Sequence, residues 1–262
     1  MSMLTQQRHD RILKLLNEKG GVTVTELTEA LDTSESTVRR DLLALDQLGK
    51  LSKVHGGAML TKQQFVVNEE KLEEKLIKNV EGKRAIAKYA ATQIEGSDFV
   101  YLDAGSTTLL LIDFLDPSGA VFVTNGIQHA KNLVKRGFKT YMLAGELKET
   151  TEAVAGLAAA QNLLHYNFSK AFMGTNGVHL KRGFTTPDAD EAYVKTSAID
   201  RSFVSYVLAD HSKFDKVSTM TFGQLGNSVI ITDREPERSY TEKTVVKVVT
   251  AEDTPSDNGN RE

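Results

Sequence analysis

The first sixty residues contain three segments in which apolar side chains recur at helical spacing. Two of them cover residues 6–18 and 24–31, and in the third Val38, Leu42 and Leu45 follow one another at i, i+4 and i+7. This spacing places the apolar side chains on one face of a helix. The pattern therefore predicts three short amphipathic helices that pack around a small core.

A short strand-like segment follows the third helix. Residues 51–54 are predicted to form a strand, residues 55–57 (His-Gly-Gly) a tight turn, and residues 58–60 the returning strand. Glycine permits the positive φ that many tight turns require. Three helices followed by a β-hairpin predict a winged helix-turn-helix domain over residues 1–60.

Charged and amide side chains dominate residues 61–81, which are dense in Lys, Glu, Gln and Asn. A run of this kind is typical of a solvated segment. We expect a partly helical linker here, between the N-terminal domain and a second, larger one.

Apolar strand-like runs alternate with helical runs over residues 82–250. Strands are expected at 99–103, 121–124, 140–143, 170–173, 204–209, 228–232 and 245–249, and helices at 83–94, 107–115, 128–135, 157–164 and 189–202. Parallel strands need crossover connections, so this alternation predicts a mostly parallel sheet covered by helices, and the fold class is α/β. Residues 251–262 have little apolar side chain to bury and are expected to form a disordered tail.

The composition narrows the class of protein further. The 262 residues are 40% hydrophobic, but no run approaches the length of about 18 apolar residues that a membrane span requires. The N-terminus lacks the apolar segment of a signal peptide, and there is no cysteine, which favours a cytoplasmic protein without disulfides. The six histidines include no i, i+4 pair, so we expect no metal site. The sequence also contains no cofactor motif, so we expect no cofactor. With a net charge of -3, any DNA-binding prediction depends on local pattern.

The third helix carries a polar face suited to DNA. Ser34 is positioned to cap it, and Ser36, Thr37 and Arg40 project away from the core near its N-terminus, where a recognition helix reaches base edges. The wing adds groups that can contact the phosphate backbone. The candidate DNA-binding residues are Ser34, Ser36, Thr37, Arg39, Arg40, Lys53, His55 and Gly56. The same pattern also fits a generic three-helix packing unit with a solvated arginine face.

A glycine- and hydroxyl-rich segment connects the first predicted strand of the second domain to a helix. It contains Asp103, Gly105, Ser106, Thr107 and Thr108. Gly105 allows a ligand to approach the backbone closely, and the N–H groups at a helix start have no partner within the helix, so the segment suits an anion such as phosphate. The alternative is an ordinary capped turn between a strand and a helix.

Further polar residues follow other predicted strands or lie at the start of the last long helix. Because ligands of open α/β sheets bind at the carboxyl ends of the strands, these residues are additional candidates for an effector site. They are Thr124, Asn125, Gly145, Asn176, Asp188, Glu191, Lys195, Asp210 and Lys213. Glu191 and Lys195 also fit a simple exposed i, i+4 ion pair.

These motifs resemble a known family. Residues 34–42 and 54–58 resemble the S-x-x-T-V-R-R-D-L and V-H-G-G-A patterns of the DNA-binding domain of DeoR-type repressors. Ser52 departs from the family, in which a second basic residue is common before the histidine turn. The resemblance implies a transcription repressor whose partners are operator DNA and a phosphorylated sugar, and which forms a homodimer or homotetramer.

The second domain resembles the DeoR sensor domain, whose fold is similar to ribose-5-phosphate isomerase. The family's D-x-G-T-T phosphate pattern matches residues 103–108, with Ser106 in place of a threonine, and Ala144-Gly145 stands where Gly-Gly is usual. The other matching positions are Lys75, Asn79 and Lys83, then Asp188, Glu191 and Lys195, then Asp210, Ser212 and Lys213. By resemblance, these residues are expected to contact the effector.

Within the family, residues 183–188 and the Glu81-x-Lys83 region are most similar to fructose operon repressors of Gram-positive bacteria, which implies fructose 1-phosphate as the effector. Lactose-type repressors that sense tagatose 6-phosphate share most of the same residues, so both sugar phosphates stay open. The fold also permits a sugar-phosphate isomerase with Asp188 or Glu191 as base and Lys195 as its partner. The attached DNA-binding domain, for which a metabolic isomerase has no use, favours a repressor that is not an enzyme.

Overall fold

The computed structural model describes residues 4–47, 50–59 and 65–249. The chain divides into two compact units, Met1–Phe65 and Val66–Glu262. Each unit has its own hydrophobic core, and each is described by itself below.

The N-terminal unit contains three helices and a small antiparallel sheet. The helices are α1 (Thr5–Lys19), α2 (Val24–Leu31) and α3 (Glu35–Gln47), and the strands are β1 (Gly21–Thr23), β2 (Ser52–Val54) and β3 (Gly57–Met59), in the order β1-β3-β2. The predicted three helices and hairpin are therefore present. Their core includes Ile12, Leu27, Val38, Leu42 and Leu45.

Local sequence explains where these helices begin and end. Gly20 adopts φ 77° after α1, a left-handed conformation that glycine tolerates at a helix C-terminus. Thr23 begins α2 with a capping box: its hydroxyl accepts the Glu26 N–H at 3.1 Å, and the Glu26 carboxylate accepts the Thr23 N–H at 2.8 Å. β1, which the hydrophobic pattern did not predict, occupies only the three residues between these two ends.

The C-terminal unit alternates strands and helices. Its helices are α4 (Leu72–Leu76), α5 (Val80–Ala91), α6 (Ser106–Leu111), α7 (Ile127–Lys135), α8 (Leu157–Leu163), α9 (Ala189–Asp200) and α10 (Arg238–Thr241), with 3-10 turns at Ile112–Phe114, His211–Lys213 and Leu225–Asn227. Its strands, beginning with one that spans the division between the units, are β4 (Phe65–Val66), β5 (Phe99–Leu102), β6 (Val121–Thr124), β7 (Lys139–Met142), β8 (Glu146–Lys148), β9 (Ala153–Ala155), β10 (Phe168–Gly174), β11 (Gly177–His179), β12 (Gly183–Thr186), β13 (Ser202–Leu208), β14 (Val217–Ser218), β15 (Met220–Gly223), β16 (Val229–Thr232) and β17 (Val246–Val248).

Seven of these strands form one parallel sheet in the order β17-β16-β13-β10-β5-β6-β7. They are the seven strands that the sequence predicts, with ends that differ by one or two residues. Successive side chains of β5 alternate between two cores: Tyr101 packs on the side of α8 and α9, and Val100 and Leu102 pack on the side of α5, α6 and α7. The predicted fold class, a winged helix-turn-helix followed by a parallel α/β domain, is confirmed.

The smaller antiparallel pieces were not predicted. β11, β12 and β15 form a second sheet, and β8 pairs with β9. These strands are only three or four residues long, and buried Thr185 and Thr186 occupy half of β12. Such short, polar segments carry no alternating pattern that distinguishes them from turns.

The division between the units differs from the predicted linker at 61–81. Residues from Val66 onward belong to the C-terminal unit, because Leu72 is buried there, its N–H donates to Thr150 O at 3.2 Å, and α4 and the start of α5 lie within this segment. The predicted disordered tail, 251–262, lies outside the described residues. Among the helices in the described ranges, none is long and apolar enough to cross a membrane.

Candidate functional site

Three hydroxyl groups cluster at the start of α3. Ser34 Oγ lies 2.9 Å from both Ser36 Oγ and Thr37 Oγ1, and it accepts the Thr37 N–H at 3.3 Å. Ser34 and Ser36 are exposed and Thr37 is half-buried. Ser34 therefore caps the helix, as predicted, and leaves the neighbouring hydroxyls at the surface.

The two adjacent arginines of α3 differ in their surroundings. Arg39 Nη2 donates to Glu35 Oε2 at 3.0 Å, in an exposed i, i+4 ion pair. Arg40 is also exposed, and its guanidinium has no hydrogen-bonding or ionic partner among residues 4–47, 50–59 and 65–249. Of the two, Arg40 is free to contact another molecule without first breaking an ion pair.

A buried carboxylate that the sequence analysis did not select follows these arginines. Asp41 is 4% exposed and accepts from Arg8 at two points, Nε to Oδ2 at 2.7 Å and Nη2 to Oδ1 at 3.1 Å. His9 Nε2 lies 3.3 Å from the same Oδ1. Because both partners lie on α1, Asp41 fixes α3 against α1 and so orients the exposed arginines. Its position within the family motif, directly after two arginines, was the available signal.

The wing residues Lys53, His55 and Gly56 are all exposed. The wing is held from both sides: Asp46 of α3 accepts the Lys53 N–H at 2.9 Å, and β3 pairs with β1. Gly56 has φ 83°, and a Cβ on Gly57 would lie 2.2 Å from Val22 O. Both glycines are thus required by the backbone geometry, which explains the Gly-Gly turn.

The C-terminal unit contains a polar cavity that opens to solvent. The segments after β5, β10 and β13, together with α4, α5 and α9, form its wall. The lining residues are Lys75, Lys83, Asp103, Ala104, Gly105, Ser106, Thr107, Thr151, Gly174, Thr175, Asn176, Glu191, Lys195, Leu208 and Lys213. Most of the predicted effector residues therefore meet in one place, at the carboxyl end of the parallel strands.

The floor of the cavity is an ion pair. The Lys195 ammonium contacts Asp103 Oδ2 and also donates to Gly174 O at 3.2 Å, and the Gly174 N–H donates to the same Asp103 oxygen at 2.9 Å. All three groups come from different elements, since Asp103 follows β5, Gly174 ends β10 and Lys195 lies on α9. The pair therefore ties these elements together beneath the cavity.

Thr108 holds the loop after β5 in shape and does not line the cavity. Its hydroxyl donates to Asp103 O at 2.5 Å, accepts the Gly105 N–H at 2.9 Å, and lies 3.1 Å from His129 Nε2. Burial lowers the pKa of His129 to about 4, so this histidine is neutral at neutral pH. With Thr108 turned inward, Ser106 and Thr107 remain to face a ligand.

Four lysines and two carboxylates give the cavity lining an excess of positive charge. Burial lowers the pKa of Lys75 to about 8, and burial also lowers the pKa of Lys83 to about 8. The Lys83 ammonium donates to Lys75 O, and the Lys213 ammonium has no ion pair within the described ranges. Lysines that are crowded together and poorly solvated favour the binding of an anion.

Several predicted effector residues do not line the cavity. Thr124 accepts the Gly126 N–H at 3.1 Å, and Asn125 bridges Ala104 N–H at 2.9 Å and Val154 O at 3.1 Å, so the side chain of Asn125 braces the cavity wall from behind. Gly145 lies outside the lining, where a Cβ would come within 2.8 Å of Val154.

The remaining predicted residues act at the edges of the site. Asp188 caps α9 by accepting the Glu191 N–H at 2.9 Å, and its other oxygen contacts Lys148. Asn79 donates to buried Asp210 at 2.9 Å, and Asp210 also accepts the Ser212 N–H at 3.0 Å. Hydrogen bonding from Ser212, together with the charges of Lys213 and Lys83, outweighs burial and lowers the pKa of Asp210, which is therefore a carboxylate.

Two relevant side chains were missed by the sequence analysis. Thr151 lines the cavity and donates to Glu191 Oε1 at 2.8 Å. Glu69 contacts the Lys75 ammonium and accepts from Asn176 Nδ2. Thr151 lies in a loop without a pattern, and Glu69 lies in the segment that was interpreted as a linker, so neither position carried a signal.

A winged helix-turn-helix with an exposed arginine on its third helix, followed by a parallel α/β unit with a polar cavity, defines a two-domain transcription regulator. Residues 8–64 match the DeoR-like helix-turn-helix domain, and residues 78–234 match the DeoR C terminal sensor domain. The chain belongs to the DeoR family.

Two relatives illustrate the similarity. The chain is 44% identical over 251 residues to the uncharacterized HTH-type transcriptional regulator FruR of Bacillus subtilis (strain 168), with 94% of this chain and 99% of that protein covered. It is 35% identical over 252 residues to the lactose phosphotransferase system repressor of Staphylococcus aureus (strain NCTC 8325 / PS 47), with 94% and 100% covered. These relatives are transcription regulators, in agreement with the predicted class of protein.

Solved structures resemble the chain more distantly. Ribose 5-phosphate isomerase A from Methanocaldococcus jannaschii matches with a TM-score of 0.40 and 17% identity, over 52% of this chain and 55% of that one. The full-length sorbitol operon regulator SorC from Klebsiella pneumoniae matches with a TM-score of 0.35 and 9% identity, over 78% and 88%. Similarity at this level carries no argument about the activity of this chain.

Proposed function

We propose that this chain represses a sugar-utilisation operon. A sugar phosphate bound in the cavity of the C-terminal unit controls the affinity of the protein for operator DNA. The observation that carries the proposal is the cavity lining, in which four lysines face two carboxylates. A phosphate monoester carries a charge of about −1.5 to −2 at neutral pH, which complements this excess.

The lining also suggests how the two ends of a sugar phosphate are distinguished. Ser106 and Thr107 present hydroxyl groups and N–H groups at the start of α6, and Lys213 adds an unpaired ammonium. These groups suit the phosphate. On the other side, Glu191, Thr151 and Asn176 offer the carboxylate, hydroxyl and amide groups that bind sugar hydroxyls.

Fructose 1-phosphate is the expected effector, and tagatose 6-phosphate is the alternative. The segment 183–188, on which the resemblance to fructose operon repressors rests, contains β12, and Thr186 of β12 donates to the Asn176 side chain at 3.2 Å. This segment therefore orients Asn176, a residue of the cavity lining that could distinguish one sugar phosphate from another. One of the relatives is a lactose phosphotransferase system repressor, so the second sugar phosphate has to be included in any test.

The DNA-binding part of the proposal places α3 in the major groove and the wing on the flanking backbone. Ser36, Thr37 and Arg40 would contact base edges, while Lys53, His55 and the Gly56 N–H would contact phosphates. A helix-turn-helix protein binds a symmetric operator as a dimer, so the proposal includes a homodimer or homotetramer. It also includes a cytoplasmic location, because that is where bacterial operator DNA lies.

Two measurements on the full-length protein test this function. The first is thermal unfolding with fructose 1-phosphate, fructose 6-phosphate, tagatose 6-phosphate, unphosphorylated fructose and inorganic phosphate. A ligand that binds only the folded state raises the unfolding temperature, and we expect this for one ketose phosphate and not for fructose.

The second is fluorescence anisotropy of a labelled fragment of the protein's own promoter region, titrated at low salt with and without the same compounds. We expect tight binding that the active ketose phosphate weakens by tenfold or more. The proposal is refuted if the protein does not bind this DNA under any of these conditions. It is also refuted if the affinity for DNA is the same with and without a sugar phosphate.

A further inference from the structure

Glu69 is a nearly buried carboxylate in a segment that is otherwise largely exposed. Its side chain is 10% exposed, whereas Val67, Asn68 and Lys71 are exposed and the Glu70 side chain is 44% exposed. The segment begins at Val66, directly after the division between the two units, and runs to the start of α4. Glu69 is therefore a nearly buried side-chain anchor of this segment, beside the pairing of β4 with β14 and the exposed Glu70–Lys78 ion pair.

The partners of Glu69 are residues of the cavity lining. One carboxylate oxygen contacts the Lys75 ammonium, and both oxygens accept from Asn176 Nδ2, each at 3.1 Å. Lys75 and Asn176 come from different parts of the sensor unit, α4 and the loop after β10. The carboxylate thus bridges two groups that we assign to effector binding, although Glu69 itself is not part of the lining.

A phosphate ester in the cavity brings a second anion to the same partners. Lys75 is surrounded by little solvent, and the Coulomb interaction between two anions near it is weakly screened. A charged Glu69 and a bound phosphate therefore disfavour each other, because each is stabilised by the same ammonium group.

From this geometry we propose that Glu69 is a tethered competitor of the effector. When a sugar phosphate binds, it takes over Lys75 and Asn176, Glu69 leaves its position, and residues 66–71 are loosened, while the pairing of β4 with β14 and the Glu70–Lys78 ion pair still hold them to the sensor unit. Since these residues continue directly into the DNA-binding unit, their loosening links the occupied cavity to the strength of DNA binding. The inference rests on the proposed function, because it requires a phosphate ester in this cavity.

Substitution of Glu69 by the isosteric neutral Gln tests the competition in the full-length protein. Isothermal titration with fructose 1-phosphate and with inorganic phosphate should give affinities about tenfold tighter in Glu69→Gln than in the unaltered chain, a change of about 1.4 kcal/mol. The matched control is Glu73→Gln, which removes an exposed carboxylate of α4 and should leave both affinities unchanged. Glu69→Ala should shift the affinities in the same direction and provides a second variant if the first unfolds.

Hydrogen exchange supplies a readout that does not depend on affinity. In the unaltered chain, residues 66–71 should exchange faster when fructose 1-phosphate is added, and in Glu69→Gln they should exchange at that faster rate without ligand. Glu73→Gln should behave as the unaltered chain.

The outcomes separate the two proposals. If the unaltered chain binds no phosphate ester, the proposed function fails and the competition fails with it. If it binds one but Glu69→Gln and Glu69→Ala bind equally or more weakly, with unchanged exchange at 66–71, the cavity remains the effector site and only the role of Glu69 is overturned.

Discussion

The Lys195 ammonium lies against the Asp103 carboxylate at the base of the cavity, although the two residues are 92 positions apart in the sequence. Their side chains are only 8% and 2% exposed. Lys213, another residue of the lining, has no ionic partner among the described residues. We therefore expect the two lysines to differ in role: Lys195 stabilises the fold, and Lys213 is available to bind a ligand.

Lys195→Ala should destabilise the protein strongly, because it leaves the buried Asp103 carboxylate without its cation. Removal of one partner of a buried ion pair costs about 3–5 kcal/mol. Urea denaturation of the full-length chain measures the change in the free energy of unfolding. The control is Lys181→Ala, which removes an exposed ammonium and should change stability by less than about 0.5 kcal/mol. A loss below about 1 kcal/mol in Lys195→Ala would contradict the structural role of the pair.

Lys213→Ala should show the opposite combination. Its stability should lie close to that of the unaltered chain, while the affinity for the active sugar phosphate should fall about 10- to 100-fold, because a charge-assisted hydrogen bond is worth about 1.5–3 kcal/mol. Operator binding without ligand should be retained, and its release by ligand should be blunted. Ser106→Ala should give a smaller loss of the same kind. Normal release in both variants would show that the effector binds elsewhere.

The affinity for a phosphate ester should depend on pH through Lys75 and Lys83. The pKa of each is lowered by burial to about 8, so both ammonium groups lose their proton as the pH rises through that value. A bound phosphate stabilises the charged form and raises these pKa values, so binding takes up protons. The sign follows: affinity is highest below about pH 8 and falls above it, by up to about tenfold per pH unit for each lysine that must be charged.

Isothermal titration in two buffers of different ionisation enthalpy measures this proton uptake. Lys75→Met should reduce both the uptake and the slope of affinity against pH. A constant affinity between pH 7 and pH 9.5 would exclude these lysines from the phosphate site.

Arg40→Ala and Arg39→Ala should differ in their effect on operator binding. Arg40 has no partner to release, so we expect Arg40→Ala to weaken binding to the operator by about 1–3 kcal/mol and to relax base discrimination. Arg39 already pairs with Glu35 and should matter less. Fluorescence anisotropy with operator and scrambled DNA measures both quantities, and Lys14→Ala on α1 controls for the loss of one positive charge. Equal effects of all three variants would show that α3 does not read bases in this register.

No isomerisation of aldose or ketose phosphates is expected from the purified protein. Glu191, the candidate base, already accepts from Thr151 at 2.8 Å. A coupled turnover assay tests this directly. Turnover that disappears in Glu191→Gln would favour the isomerase interpretation of the cavity over a purely regulatory one.

The repeating parts of the fold were readable from the sequence. Apolar runs that alternate with helical runs predicted every strand of the large sheet, of which inner strands such as β5, β6 and β16 are largely buried and the edge strands β7 and β17 are more exposed. The helical spacing of Val38 and Leu42 predicted α3. Strands β8 (Glu-Leu-Lys) and β12 (Gly-Phe-Thr-Thr) escaped because they contain no apolar run, which is the signal that marked the equally short strands of the large sheet. The resemblance to a known family, and not periodicity, indicated most of the cavity residues, including Lys75 and Lys83.

The sequence could not show which of those residues face the cavity. Asn125 and Thr108 lie in motifs that predicted contact with the effector, yet both side chains form hydrogen bonds with backbone groups in and around the loop after β5. Thr151 and Glu69 enter the site only because distant segments fold against each other. Side-chain direction and long-range contact are properties of the tertiary structure, and a single sequence does not encode them in a local pattern.

The core of the N-terminal unit uses residues between Ile12 and Ala58, whereas the cavity is incomplete until Lys213 has been added. The ribosome therefore completes the N-terminal unit, which we assign to DNA binding, long before it completes the cavity that we assign to the sugar phosphate. A message truncated between these two points would encode the complete core of the N-terminal unit without a complete cavity. Such a fragment would keep the residues that we assign to DNA and lack part of the site that we assign to the sugar phosphate.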